Sequence, residues 1–85
     1  MDIFDNITQI IFNINSSKGI SLSDELQKDL GLDSIQMVML LIMIEETFKI
    51  TLDESDMNPF DLVTVSHIVS LVKKYMGGDT NEKKD

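Results

Sequence analysis

The feature that most constrains the fold is the stretch from Asp33 to Phe48, where no glycine or proline interrupts a mostly apolar run. Asp33 and Gln36 have the spacing of a capping box, in which the side chain of each residue bonds to the backbone of the other. This spacing predicts a helix over 34–48 with Asp33 as its N-cap, and Ser34 is a second candidate for the cap. A chain of 85 residues built around such a helix makes one small domain.

Two apolar stripes run along this helix when successive residues are placed 100° apart on a wheel. The first, the core stripe, consists of Met37, Leu40, Leu41, Ile44 and Phe48. The second, the outer face, lies nearly opposite and consists of Ile35, Val38, Met39 and Ile42, with Glu45 and Glu46 one turn further on. A small bundle buries one side of a peripheral helix, so the outer face is predicted to dock partner proteins. The alternative is that the bundle or a homodimer covers both faces.

Two more helices are predicted on either side of this one. Apolar residues recur at helical spacing over 3–14, where Asp2 is placed to cap the start. The last helix begins at Thr64, a good N-cap, and ends at Gly77-Gly78. Its predicted inward residues are Val65, Ile68, Val69, Val72 and Tyr75.

The connecting segments carry regular apolar residues of their own. The crossover, residues 20–32, is predicted to pack onto the bundle with a turn of helix at 23–28. Residues 53–62 predict a short helical turn whose inward residues are Met57, Phe60 and Leu62. The predicted fold is therefore all-α, a small four-helix bundle of three longer helices and one short helix, with a long loop between helices 1 and 2. The domain is expected to span 1–78, and 79–85 to form a disordered polar tail.

Charge and composition narrow the classes of partner. The chain has no cysteine and a net charge of −8, and residues 1–60 hold eleven acidic and three basic residues. Such an acidic body argues against nucleic acid and anionic membrane surfaces and favours partners with basic docking patches. The longest apolar run, 37–44, is too short to span a bilayer, and the acidic N-terminus lacks the features of a signal peptide. A cytoplasmic monomer that does not insert into membranes is expected.

Ser34 is the most conspicuous candidate for chemistry, yet nothing nearby makes it a nucleophile. Serine catalysis needs a base and an oxyanion pocket, and the only histidine, His67, falls on the last helix and is expected to face solvent. The acidic residues 53–56 lack the twelve-residue calcium pattern and its central glycine, so no metal site is predicted. The chain is therefore not expected to be an enzyme.

A hydroxyl at a helix start suits the attachment of a phosphate group. Helix N-termini present free backbone N–H groups and the positive end of the helix dipole, so a phosphodiester on Ser34 would sit in a favourable field. The alternative is that Asp33-Ser34 is only a capping pair.

The stretch Asp29-Leu30-Gly31-Leu32-Asp33-Ser34-Ile35 closely resembles the attachment-site motif of acyl carrier proteins. The resemblance continues along the helix through Val38, Leu41, Ile44, Glu45, Glu46 and Phe48, and the layout of the helices matches the family over about residues 2–76. It implies a four-helix bundle with a 4′-phosphopantetheine arm joined to Ser34, and Asp33 orienting the site. A phosphopantetheinyl transferase would install the arm from coenzyme A, and its thiol would carry acyl groups as thioesters.

Departures from the fatty-acid carriers point to a particular branch of the family. Those carriers usually have acidic residues early in the second helix, where this chain has Gln36 and Met39. The segment 57–62 is also longer than in typical fatty-acid carriers, and Leu32 before Asp33 fits polyketide carriers. The resemblance therefore favours a discrete carrier of a polyketide or hybrid polyketide–peptide pathway, serving an acyltransferase, a ketosynthase or other acyl-processing enzymes. A fatty-acid or D-alanine carrier, or an unmodified protein–protein adaptor bundle, remains an alternative.

Overall fold

The computed structural model describes residues 2–58 and 60–76, and its regular elements are helical. The elements are α1 (Ile3–Asn15), α2 (Ser34–Phe48), a 3-10 turn (Glu54–Asp56) and α3 (Val65–Met76). Within these ranges the only strand-like pairing is an isolated antiparallel bridge between Glu25 and Thr64. The all-helical prediction is confirmed, but the predicted short helix is a single 3-10 turn, so the count of four helices is not.

The core is built from one face of each helix and from anchors in the connecting segments. Both α1 and α3 are amphipathic, and α2 supplies the core stripe between them. Phe48 and Tyr75 are only partly buried and pack against the edge of the core. The buried residues are Ile7, Ile10, Ile11, Leu26, Leu32, Met37, Leu40, Leu41, Ile44, Leu52, Leu62, Val65, Ile68, Val69, Leu71 and Val72.

The crossover is packed onto the bundle, as its regular apolar residues predict. Leu26 is fully buried, its backbone N–H donates to the Val63 carbonyl at 2.8 Å, and the Val65 N–H donates to the Asp24 carbonyl at 3.0 Å. The predicted turn at 23–28 lies later in the chain, because the helix-like hydrogen bonds join residues 25–31 and form no regular helix. The crossover is therefore fastened to the start of α3.

The prediction for Phe60 is wrong, because this side chain is 88% exposed. The prediction extended helical spacing through 57–62, but regular helical geometry ends at Asp56. The Phe60 N–H then donates to the Asn58 Oδ1 at 2.9 Å, a local turn that places Phe60 outside the helical register. Leu62 is buried and Met57 partly buried, in agreement with the prediction for these two residues.

Two further predictions concern the chain as a whole. In the part of the chain that the structure describes, no helix is long and apolar enough to cross a membrane. The predicted end of the domain at residue 78 and the predicted disordered tail, 79–85, lie outside the described residues.

Candidate functional site

The start of α2 is set by a complete capping box. The Gln36 N–H donates to the Asp33 Oδ1 at 2.8 Å, and the Asp33 N–H donates to the Gln36 Oε1 at 3.2 Å. Asp33 has an extended backbone, with φ −86° and ψ −179°, as an N-cap residue requires. Asp33 is therefore the cap, and the Ser34 hydroxyl is not needed for this task.

Ser34 is the first residue of α2 and is exposed. The N–H groups of Gln36 and Met37 are satisfied by Asp33, through its side chain and its carbonyl respectively. The first N–H groups of a helix have no acceptor within it, and those of Ser34 and Ile35 have no partner among the described residues. Free N–H groups and the positive end of the dipole make this position suitable for a phosphate on the serine oxygen.

Gly31 and Leu32 fix how the chain enters α2. Gly31 has φ +75°, a left-handed conformation that residues with a side chain adopt at a cost. No atom lies within 4 Å of where its Cβ would be, so the requirement comes from the backbone and not from crowding. Leu32 is buried, and its N–H donates to the Leu26 carbonyl at 3.0 Å. A buried anchor thus stands two residues before the exposed serine.

An apolar groove of about 390 Å³ opens beside Ser34. Its walls come from the crossover, from α2 and from the segment after the 3-10 turn. The residues that line it are Gln27, Ser34, Met37, Val38, Leu41, Met57 and Phe60. The sequence pattern did not predict this groove, since its walls join parts of the chain up to 33 positions apart.

The outer face of α2 is exposed along its length. Ile35 is 73% exposed, Val38 54%, Met39 43% and Ile42 46%, whereas the core-stripe residues 37, 40, 41 and 44 are buried. The chain by itself therefore covers one stripe and leaves the other open.

The two acidic residues beyond the outer face differ in their surroundings. Glu46 is exposed. Glu45 is partly buried, and its Oε2 accepts a hydrogen bond from the Leu52 N–H at 2.8 Å. Glu45 thus helps to hold the turn after α2, which leaves Glu46 as the freer charge at this end of the outer face.

A set of polar contacts, here called the clasp, joins Asp53 and Asp56 at the 3-10 turn to Lys74 and Tyr75 of α3. The Tyr75 hydroxyl donates to the Asp56 Oδ2 at 2.5 Å and accepts from the Asp53 N–H at 2.8 Å. The Lys74 Nζ lies 3.0 Å from the Asp56 Oδ1. The hydrogen bond from Tyr75, and then that from Lys74, lowers the pKa of Asp56. The clasp holds the segment that leads into Met57 and Phe60.

His67 lies on α3 and is exposed, as predicted. Its Nδ1 accepts hydrogen bonds from the backbone N–H groups of Val63 and Thr64, a role that sequence reasoning missed. The three-residue spacing between the cap Thr64 and His67 was the available signal. Among residues 2–58 and 60–76, no cluster of three or more His, Asp or Glu side chains is arranged to hold a metal ion.

Comparison with known proteins identifies the class to which this site belongs. The family model described as "Phosphopantetheine attachment site" matches residues 7–72, which include all of α2. The fold and the match thus define a small helical carrier of a phosphopantetheine group.

Relatives name the family more closely. The chain is 36% identical over 66 residues to an acyl carrier protein of Phytoplasma mali (strain AT), covering 76% of each protein. It is 33% identical over 75 residues to an acyl carrier protein of Trieres chinensis, covering 85% of this chain and 90% of the relative. A solved structure described as "a putative acyl carrier protein" from Mycobacterium tuberculosis superposes with a TM-score of 0.78 at 26% identity, covering 86% of this chain and 97% of the other. The chain belongs to the acyl carrier protein family.

Membership of this family settles the coarse function. The protein carries acyl groups on a covalently attached 4′-phosphopantetheine, and it interacts with a phosphopantetheinyl transferase and with acyl-processing enzymes. Proteins of this kind are carriers rather than enzymes. The geometry at the start of α2 fits the group, because an exposed hydroxyl stands in the field of a helix N-terminus beside an apolar groove.

Proposed function

We propose that Ser34 carries the phosphopantetheine arm through a phosphodiester on its hydroxyl oxygen. The observation that supports this most strongly is the position of Ser34 as the exposed first residue of a helix whose cap is supplied by Asp33. Two other serines are less suitable, since the Ser17 hydroxyl donates to Asn15 and the Ser66 hydroxyl bonds to that of Thr64.

Asp33 and the α2 N-terminus would then have defined tasks. The Asp33 side chain holds the first turn of α2, and Ser34 is the first residue of that turn. The free N–H groups of Ser34 and Ile35 would offset the negative charge of the phosphodiester. When bound, the arm supplies the thiol on which acyl groups are held as thioesters. The chain has no thiol of its own, because it contains no cysteine.

We further propose that the outer face of α2 is the docking surface for partner enzymes, with Glu46 and, in part, Glu45 at its acidic end. Four exposed apolar side chains on one side of one helix form a contiguous patch of the kind that marks interaction sites. The patch begins at Ile35, directly after the proposed attachment serine. A partner bound there would therefore lie next to the attached arm.

The pathway we propose is polyketide or hybrid polyketide–peptide biosynthesis, with this chain as a discrete, non-catalytic, monomeric carrier in the cytoplasm. The support is the exposed Met39, at a helix position where fatty-acid carriers usually have charge. Docking on this chain would thus depend more on apolar contact than on ion pairs. Fatty-acid and D-alanine carriers are the competing proposals within the family.

The attachment is tested by incubating the folded chain with coenzyme A, magnesium and a promiscuous phosphopantetheinyl transferase. Intact mass spectrometry should show one phosphopantetheine added to the wild type and to Ser70→Ala, which removes another exposed serine. Ser34→Ala should show none. Modification of Ser34→Ala would move the attachment point elsewhere, and an unmodified wild type across several transferases would favour the adaptor alternative.

A further inference from the structure

The start of α3 is held by a capping box in which a histidine takes the place of the usual glutamate or glutamine. The Thr64 Oγ1 accepts from the His67 N–H at 3.3 Å, and the His67 Nδ1 accepts from the Thr64 N–H at 3.1 Å. The same Nδ1 also accepts from the Val63 N–H at 3.0 Å. In an ordinary capping box the third helical residue supplies an amide or carboxylate oxygen for this purpose.

This arrangement requires a neutral imidazole. Backbone N–H groups only donate, so the His67 Nδ1 must carry its lone pair and the ring proton must be on Nε2. A proton on Nδ1 would point a third N–H at the two donors of Val63 and Thr64 and would remove both bonds. Imidazole is the side chain whose charge ordinarily changes between about pH 5 and 8.

The residues held by His67 also hold the crossover. The Val63 carbonyl accepts from the Leu26 N–H, and Thr64 forms the isolated bridge with Glu25. Six residues after Leu26 the chain reaches Leu32, whose N–H bonds back to the Leu26 carbonyl and which stands just before Asp33. The contacts of Val63 and Thr64 with Leu26 and Glu25 thus form a joint between α3 and the crossover. The hydrogen bond between Leu32 and Leu26 connects this joint to the start of α2.

Charged groups near His67 provide an alternative partner for a protonated ring. Asp56, Asp61 and Lys74 line, together with His67, a cavity of about 260 Å³, whereas Asp24 and Glu25 of the crossover contact the start of α3 through their backbones. Asp56 is already engaged by Lys74 and Tyr75. Asp61, which lines the same cavity, is therefore the carboxylate that remains as a partner for a protonated ring that leaves the capping box.

We propose that His67 is a pH-sensitive positioning residue. When neutral it closes the α3 capping box and fastens the crossover to α3, and when protonated it releases the Val63 and Thr64 N–H groups and loosens that joint. We expect the loosened joint to change the rate at which the phosphopantetheine arm is attached, because Gln27 of the crossover lines the groove beside Ser34. This consequence rests on the proposed attachment at Ser34. The joint itself does not depend on that proposal.

The joint is tested by NMR of the unmodified chain between pH 8 and pH 5. In the wild type, the amide resonances of Val63, Thr64 and Leu26 should move together with the His67 ring resonances, and the ring nitrogens should show the Nε2–H tautomer at pH 8. At pH 5 the amide protons of Val63 and Thr64 should lose several-fold of their protection from exchange relative to Ile10, after correction for intrinsic rates. The matched control is His67→Asn, whose Oδ1 takes a position near that of the His67 Nδ1 and does not titrate. In this variant the amide resonances and the exchange protection of Val63 and Thr64 should stay constant between pH 8 and pH 5.

Two results would contradict the proposed role of His67 at the joint. One is an Nδ1–H tautomer at pH 8. The other is that the Val63 and Thr64 amides of His67→Asn show the same pH dependence as those of the wild type, which would assign this pH dependence to nearby carboxylates. His67→Phe, which removes the acceptor, should show the loosened joint already at pH 8. If that variant fails to fold, the wild-type and His67→Asn titrations still decide the question.

The link to loading is tested by the rate of phosphopantetheine transfer to wild type divided by the rate to His67→Asn, at pH 8 and pH 6. The transferase's own pH dependence cancels in this ratio. We expect the ratio to change between the two pH values, and a constant ratio would refute the link while leaving the joint to the NMR result. Failure of the Ser34 proposal is seen separately, as modification of Ser34→Ala.

Discussion

The two faces of α2 have nearly the same chemical character and opposite surroundings. The core stripe is made of Met, Leu, Ile and Phe and the outer face of Ile, Val and Met, yet Leu40 and Ile44 are fully buried while Ile35 is 73% exposed. Apolar character alone therefore does not tell which side of a helix enters the core. What separates the faces is that α1 and α3 both pack against the same side of α2, which leaves the other side exposed.

The largest expected effect comes from truncating each face in turn. Leu40→Ala should lower the free energy of unfolding by about 2–5 kcal/mol, because it empties a fully buried site. Ile42→Ala, at a side chain 46% exposed, should cost less than about 1 kcal/mol. Urea denaturation measures both. Similar losses for the two variants would mean that the outer face is structural.

The outer face should instead respond in binding. Met39→Glu should leave the fold intact, since Met39 is 43% exposed, but it should weaken an apolar docking contact about tenfold, or about 1.4 kcal/mol. It should also improve use of the carrier by enzymes that dock through charge. Transfer assays with an acyltransferase from a polyketide system and one from a fatty-acid system, over a salt series, measure the two effects.

The matched control is Thr47→Glu, which adds the same charge at an exposed position of α2 outside the outer face. This variant should change neither assay by more than about twofold. If Met39→Glu behaves like Thr47→Glu, or if the wild type already serves the fatty-acid enzyme well, the pathway assignment gives way to a fatty-acid carrier.

The two ends of α2 offer a smaller effect of opposite sign. Gly31, before the helix, and Lys49, its C-cap, both have left-handed backbones, with φ +75° and +57°. Gly31→Ala should cost about 1 kcal/mol, and Lys49→Gly should gain a few tenths to about 1 kcal/mol, because only glycine adopts this conformation freely. Thermal denaturation of both variants gives the signs. A gain for Gly31→Ala would show that the entry to α2 is not strained.

The smallest effect is expected at the clasp, outside α2. The pKa of Asp56 is lowered, first by the Tyr75 hydroxyl and then by Lys74, so its contribution is present above about pH 4 and lost as the pH falls through the lowered value. The pKa of Tyr75 is raised, chiefly by its bond to Asp56, so that contribution is present below about pH 10 and lost as the pH rises. The stability difference between wild type and Tyr75→Phe should therefore shrink at pH 3 and at pH 11. A constant difference from pH 3 to pH 7 would show that the clasp contributes nothing through its charge.

Local patterns in the sequence predicted α2 well. Its bounds, 34–48, and its capping box follow from residues within three or four positions of one another, and the structure confirms both. The wheel also separated the two faces, because the burial of one stripe is a consequence of helical geometry.

Features that depend on contacts distant in sequence were not predicted. Phe60 was expected inside because helical spacing was extended past Asp56, where the backbone leaves that geometry. The groove beside Ser34 needs Gln27 and Met57 to come together across thirty positions of the chain. Spacing along the chain does not show such encounters.

The division of α2 into a structural and a binding face is tested most directly by methyl NMR. The unmodified chain, labelled at Ile, Leu and Val methyl groups, is titrated with a phosphopantetheinyl transferase. The methyl groups of Ile35, Val38 and Ile42 should shift or broaden first, while those of Leu40 and Ile44 on the same helix change little. Changes concentrated on α1 or α3, or equal changes at Ile42 and Ile44, would contradict the account.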